Sequence, residues 1–232
     1  MRSYVITLTG DTDSIQGARR LTESATKHDN TFNILTHEAT IPEQVDTFMQ
    51  HWNLEWNWPW EQPARDLKSG IFKTPYLTAH KNKRIACFLS HYKLWRECAN
   101  TNESFMIFEH DAIITKKILW EKIEESRYDV IGMNDPRRAT RKSEIYHEKV
   151  QEQNGFVVGC PKIDMDQIAQ GLAGNSAYYL KPAGAKRLIE LVDEFGAWPN
   201  DAIMCRQLMP GKLGQLKVYC TTVQSMVSTT KT

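Results

Sequence analysis

The chain has 232 residues, enough for one sizeable α/β domain, and its 25% charged and 41% hydrophobic residues are an ordinary globular balance. A formal net charge of +1 excludes a global field that would recruit nucleic acid or an anionic membrane. Five scattered cysteines without a C-x-x-C pair argue against a disulfide framework or a structural zinc, and there is neither a signal-peptide stretch nor a membrane-length apolar window, so a soluble, cytoplasmic protein with no stable membrane insertion is expected.

In chain order, residues 4–8 (YVITL) read as a buried strand, followed by a capping loop at 9–14 and a helical stretch through Arg19 and Arg20. Residues 32–35 are a second strand candidate, which completes a βαβ pattern. Residues 40–80 carry Trp52, Trp56, Trp58 and Trp60, with Pro59 and Pro63 against a continuous helix. They read as a loop-rich insertion, its tryptophans either packing mass or a stacking platform for a sugar or base. Two basic clusters, 81–84 and 137–142, read as solvated loops or as polyanion contacts.

Apolar residues at 85, 88, 89, 92, 95 and 99 predict a helix. Residues 105–108 predict a central parallel strand covered on both faces. Further strands are expected at 130–133, 156–158, 177–180 and 216–219. Pro182 should start a helix that runs to Phe195 and stops at Gly196.

The apolar run of "SFMIFEHDAII" is broken by Glu109, His110 and Asp111. In an open α/β sheet, ligands bind beyond the carboxyl ends of the strands. Two carboxylates one residue apart in an extended segment share a side, and their hard oxygens suit Mn2+ or Mg2+ on the diphosphate of a nucleotide-sugar. The structural alternative is an acidic turn capping a helix after Ile114. Asp164 and Asp166 also form a D-x-D, but they read as the N-terminal cap of a following helix. No G-x-x-x-x-G-K-[ST] run is present, and no G-x-G-x-x-G follows the first strand, which disfavours P-loop and nicotinamide enzymes.

The stretch "RIACFLSHYKLWRECANTNESFMIFEHDAII" resembles glycosyltransferase family 25, the lipooligosaccharide and collagen-type galactosyltransferases. Family members usually carry Glu-Asp-Asp where this chain has Glu109-His110-Asp111. "YVITL" with Arg19-Arg20, "GNSAYYLKPAGAKRLIEL" and "WPNDAIM" resemble further family segments, in order, over about three-quarters of the chain.

The resemblance implies a GT-A-like, Rossmann-type α/β fold with a mostly parallel central sheet, expected as a single domain over residues 1–232; the Trp-bearing 40–80 insertion does not match the family clearly. It implies a nucleotide-sugar donor, expected to be a uridine diphosphate sugar, and transfer with inversion to a hydroxyl acceptor. A saccharide is the expected acceptor. A hydroxylated DNA base is the alternative, and a non-catalytic binding module of the same fold is a third reading. Asp111 and Glu109 are the expected metal ligands, with Glu109 also a donor contact. Asp201 is the candidate base, against a helix cap after Asn200, and Asp135 is its rival. Ser90 and His91 are expected near the donor because their helix feeds the strand ending at Glu109, although His91 also fits a core histidine. Arg19 or Arg20 would meet the diphosphate, or stay solvated. Tyr178 would pack under the nucleotide or serve the core.

Overall fold

The structure is a computed structural model that describes residues 1–137 and 142–224, so most of the 137–142 basic cluster lies outside the described residues. The chain runs β1 (Arg2–Thr7), α1 (Thr12–Lys27), β2 (Ile34–Glu38) and a 3-10 turn (Pro42–Gln44) into α2 (Val45–His51). Next come β3 (Ala64–Arg65), β4 (Phe72–Lys73), α3 (Lys81–Thr101), β5 (Phe105–Glu109), β6 (Ala112–Ile114), α4 (Trp120–Glu124) and β7 (Val130–Gly132). The remainder is α5 (Ser143–Gln151), β8 (Val157–Gly159), β9 (Ala177–Leu180), α6 (Pro182–Phe195), α7 (Asn200–Ile203), β10 (Leu213–Leu216) and β11 (Thr221–Val223).

Seven strands form the main sheet in the order β2-β1-β5-β9-β7-β10-β8. Parallel pairing links β1 to β2 and β5, and β7 to β10, whereas β9 is antiparallel to both its neighbours and β8 to β10. The expected α/β class with a mostly parallel sheet is thus observed. One detail differs: β5 is parallel to β1 but antiparallel to β9.

The first four residues of β5 are fully buried, and their side chains alternate between two cores. Phe105 and Ile107 face α3 and α6, where they meet Phe88, Leu89, Trp95, Leu188 and Leu191. Met106 and Phe108 face α1 on the other side and meet Ala18, Leu21 and Ala25. By this alternation Glu109 emerges on the α3 face. α1 is capped by Asp11, whose carboxylate accepts the Ser14 N–H at 2.7 Å. α6 begins at Pro182 and ends at Gly196, as expected.

Several expectations are corrected. The 81–84 cluster is not a loop but the opening turn of α3. The last predicted strand lies three residues earlier, at Leu213–Leu216, and no helix follows Ile114 directly: residues 112–114 form β6, paired with β11. Asp164-Met165-Asp166 opens no helix. The buried Gln170 amide oxygen accepts the N–H groups of Ile163 and Asp164 at 2.7 and 2.9 Å, and so holds a turn instead. The 40–80 segment includes α2 and the β3–β4 hairpin. Its tryptophans pack on the α3 core: Trp52 stacks on Phe48, Trp56 on Trp60, and Trp58 meets Trp198.

α1 approaches the turn after β5 closely, because Gly17 has no side chain. A Cβ there would lie 2.4 Å from the His110 carbonyl oxygen. Gly17→Ala should therefore destabilise the fold by about 1–3 kcal/mol through overpacking, seen as a lower midpoint in thermal melts. An unchanged midpoint would mean that α1 is free to move off the turn.

Candidate functional site

Three adjoining cavities open along the carboxyl ends of β1 and β5. The first, of about 300 Å3, lies between the ends of β1 and β2 and the start of α3. Its walls include Leu8, Thr40, Lys83, Ser90, Glu109 and His110. The second, of about 290 Å3, is lined by Tyr76, Arg84, Asn175, Asn200, Asp201 and again Glu109. Cys87 lies at the junction of the two. The third, of about 470 Å3, shares Leu172 and Asp201 with the second and extends past Met165, Gln170 and Tyr146. Together they form a trough with Glu109 at one junction and Asp201 at the other.

Glu109 is held by a hydrogen-bonded chain. His91 Nε2 lies 3.1 Å from Glu109 Oε1, His91 Nδ1 lies 2.9 Å from the Tyr178 hydroxyl, and Trp95 Nε1 donates to that hydroxyl at 2.8 Å. The indole is a donor only and the carboxylate an acceptor only. A neutral imidazole therefore closes the chain in one direction: Trp95 donates to Tyr178, Tyr178 donates to His91, and His91 donates to Glu109. His91 and Trp95 share a face of α3 because they are four residues apart. Desolvation raises the Glu109 carboxyl, but the hydrogen bond from His91, with the electrostatic influence of the His91 and His110 rings next in weight, outweighs it, so the net shift is downward.

The neighbouring carboxyls shift the other way. Desolvation, then the Glu109 charge, moves Asp111 upward. Asp111 Oδ1 is buried and has no hydrogen-bond partner. Asp201 keeps solvent access at the rim of the trough, yet desolvation by the crowding protein and the Glu109 charge raise it too, against the pull of local backbone N–H groups and His91. Cys87 is pushed up to about 12 by desolvation, with the charges of Glu109 and Asp201 next in weight. Ligand atoms of Cys87, His91 and Glu109 all lie within 4.8 Å of one another, a second grouping able to hold a cation.

The residues singled out from sequence separate into two sets. Ser90, His91, Glu109 and Asp201 line the trough, Tyr178 sits directly behind His91, and Asp111 follows Glu109 closely enough to feel its charge. Ser90 is buried, donating to the Ala86 carbonyl and accepting the Thr40 N–H, so it ties α3 to the segment after β2. His110 turns to the α1 side, against Gly17. Arg19 and Arg20 are exposed on α1, where Arg19 pairs with Glu23 and Arg20 with Gln224. Asp135 is gripped by Arg137 through two side-chain bonds of 3.0 and 2.7 Å; desolvation raises its carboxyl, but those bonds carry it below the usual range.

Sequence reasoning missed Tyr76 and Asn175, and left Lys83 and Arg84 open between a solvated loop and a polyanion contact. Lys81, Lys83 and Arg84 open a helix with no acidic residue in its first turn. Cations at a helix N-terminus oppose its dipole. Arg84 lies 4.4 Å over the Tyr76 ring, with Glu109 and Asp201 lining the same cavity. Asn175 gave no pattern, because its importance rests on burial.

Tyr178→Phe would strand both the Trp95 N–H and a nitrogen of His91 in a dry core. The expected loss is about 1–3 kcal/mol in chemical denaturation. A variant as stable as the parent would show that the chain of hydrogen bonds does not support the fold.

The family model described as glycosyltransferase family 25 (LPS biosynthesis protein) matches residues 3–204. No curated protein matches the chain in sequence. Among solved structures, mouse xyloside xylosyltransferase 1 is similar with a TM-score of 0.47 and 8% identity, over 93% of this chain and 84% of that one. LgtC in complex with donor and acceptor sugar analogs gives a TM-score of 0.45 and 8% identity, over 93% and 73%. GlyE of Streptococcus pneumoniae TIGR4 gives 0.41 and 13% identity, over 93% and 45%. With its family match running from β1 through the Asp201 segment, the chain belongs to glycosyltransferase family 25 and is a glycosyltransferase.

Proposed function

We propose that this enzyme acts as one glycosyltransferase domain, moving a sugar from a uridine diphosphate sugar to a hydroxyl acceptor, a saccharide, with inversion. One observation carries the reading: two carboxyls facing one cavity are driven apart in acidity. Glu109 is held low by His91 and keeps its charge, while Asp201 is raised toward the range of a proton acceptor. Paired groups with opposed shifts mark separate roles. Asp135 suits the base role less well, since Arg137 holds it low.

The nucleoside fits the first cavity, where the buried Thr40 hydroxyl has no partner of its own. The transferred sugar fits the second, and the acceptor enters from the third. Glu109 and Asp111 are the residues that would hold a divalent cation. Asp111 Oδ1 is buried and unpartnered, and a hard cation prefers such oxygens. The Cys87 thiol, pushed up to about 12, is a poorer ligand for Mn2+ or Mg2+. When bound, such a cation would neutralise charge on the diphosphate.

Asp201 takes the proton from the acceptor hydroxyl as its oxygen bonds to the anomeric carbon. The bond from that carbon to the donor phosphate breaks, and its electron pair leaves with the diphosphate. Lys83 and Arg84, at the walls of the first two cavities, supply positive charge on the leaving side. All five cysteines are free thiols, which suits a reducing, cytoplasmic setting. No helix among the described residues is long and apolar enough to cross a membrane.

Calorimetric titration of uridine diphosphate should show binding with Mn2+ that is lost on adding a chelator, and Asp111→Asn should weaken it. Equal affinity with and without the cation would remove the metal role from Glu109 and Asp111. For the base, Asp201→Asn should fold, bind donor nearly as tightly and lose roughly a hundredfold to ten-thousandfold in single-turnover rate. The parent's rate should rise with pH through a value above the usual carboxylate range, a limb absent from the variant. Normal turnover in Asp201→Asn would move the base elsewhere.

A further inference from the structure

Asn175 lies in the loop just before β9, is 8% exposed, and lines the second cavity beside Glu109 and Asp201. Its amide oxygen and its amide nitrogen are both buried, and neither has a hydrogen-bond partner. Folded proteins rarely leave such groups unmet, and here donor and acceptor of a single amide are orphaned together. The Thr40 hydroxyl in the first cavity is one unmet atom; Asn175 is a matched pair.

A ligand that satisfies both ends must present an acceptor and a donor side by side. Phosphate oxygens and carboxylates only accept, so either would leave the amide oxygen stranded. An ammonium only donates, and would strand the nitrogen. Two neighbouring hydroxyls on a sugar ring meet both, one accepting from the NH2 and the other donating to the C=O. The backbone fixes which sugar this is. The Glu109 N–H donates to the Ser176 carbonyl at 2.8 Å, so the Asn175 loop is pinned to the end of β5. That end belongs to the donor.

We infer that Asn175 reads a pair of adjacent hydroxyls on the donor's sugar and helps to select it. The inference rests on the assignment of the second cavity to the donor sugar made under Proposed function.

The test is a cycle between protein and substrate. Uridine, thymidine and guanosine diphosphate hexoses are screened by donor hydrolysis. The donor turned over fastest is then supplied with its ring hydroxyls removed one at a time. For the parent enzyme, loss of one or two of these hydroxyls should cost about a hundredfold or more in kcat/KM, because the amide is left unpaired. For Asn175→Ala the same removals should cost less than about threefold, with the penalties at other hydroxyls unchanged. Asn175→Leu, close in size but with neither donor nor acceptor, should lose the same penalties and serve if the alanine variant folds poorly. Without ligand, Asn175→Ala should melt no lower than the parent, since it removes buried atoms that have no partner.

Penalties identical in parent and variants would overturn the inference while leaving the proposed activity standing. Coupling of Asn175 to an acceptor hydroxyl instead would overturn the donor assignment. Turnover of none of these donors would overturn the proposed donor class itself, and this inference with it.

Discussion

Glu109 stands at the end of a strand whose four preceding residues are shut off from water, and its own side chain is only partly exposed. Desolvation alone would favour its protonated form. The opposing force comes from the core, through the run of donors from Trp95 to Tyr178 to His91. The four members come from three elements: β5 supplies the carboxylate, β9 the phenol, and α3 the indole and imidazole one turn apart. The antiparallel insertion of β9 beside β5 is what brings Tyr178 under the site. The large apolar interface of α3 with α6 then fixes the height of α3 above the sheet. The hydrophobic core and the polar site thus share residues, and neither can shift without the other.

The start of α3 answers the same carboxylate from outside. Three cations in a helical first turn are unfavourable in isolation. Lys83 and Arg84 line cavities with Glu109, and Arg84 also with Asp201, and these carboxylates offset part of that cost; Lys81 lies near Glu61 instead. The arrangement sets cations and carboxylates along the same walls of the trough.

Much of this was readable from sequence, for definable reasons. β5, β9, α3 and α6 have strong apolar patterns, and their positions follow from period and length. The break at Glu109 signalled the site because charge is expensive in such a run. The strand at 213–216 was misplaced because Gly214 and Gln215 dilute its apolar character, while Val218 and Tyr219 beyond it look more strand-like. The turn at 164–168 looked helical because its organiser, the Gln170 side chain, acts by tertiary contact. Asn175 was invisible for a related reason: an asparagine in a Gly-Asn-Ser segment looks like a turn residue, and only the packed structure shows that its amide has no partner.

The third cavity is walled by irregular chain rather than by sheet. Along it, Met165 and Ile168 offer side chains, while the backbone is held by Gln170 and by a short bridge from Gly171 to Cys205. A Cβ on Gly171 would lie 2.4 Å from the Met204 carbonyl and 2.9 Å from that of Asp201. The lock on the Asp201 segment is therefore one residue wide, and the surface beside it is free to vary. Over evolutionary time such a wall can be rewritten side chain by side chain while the path of the chain that carries Asp201 is kept.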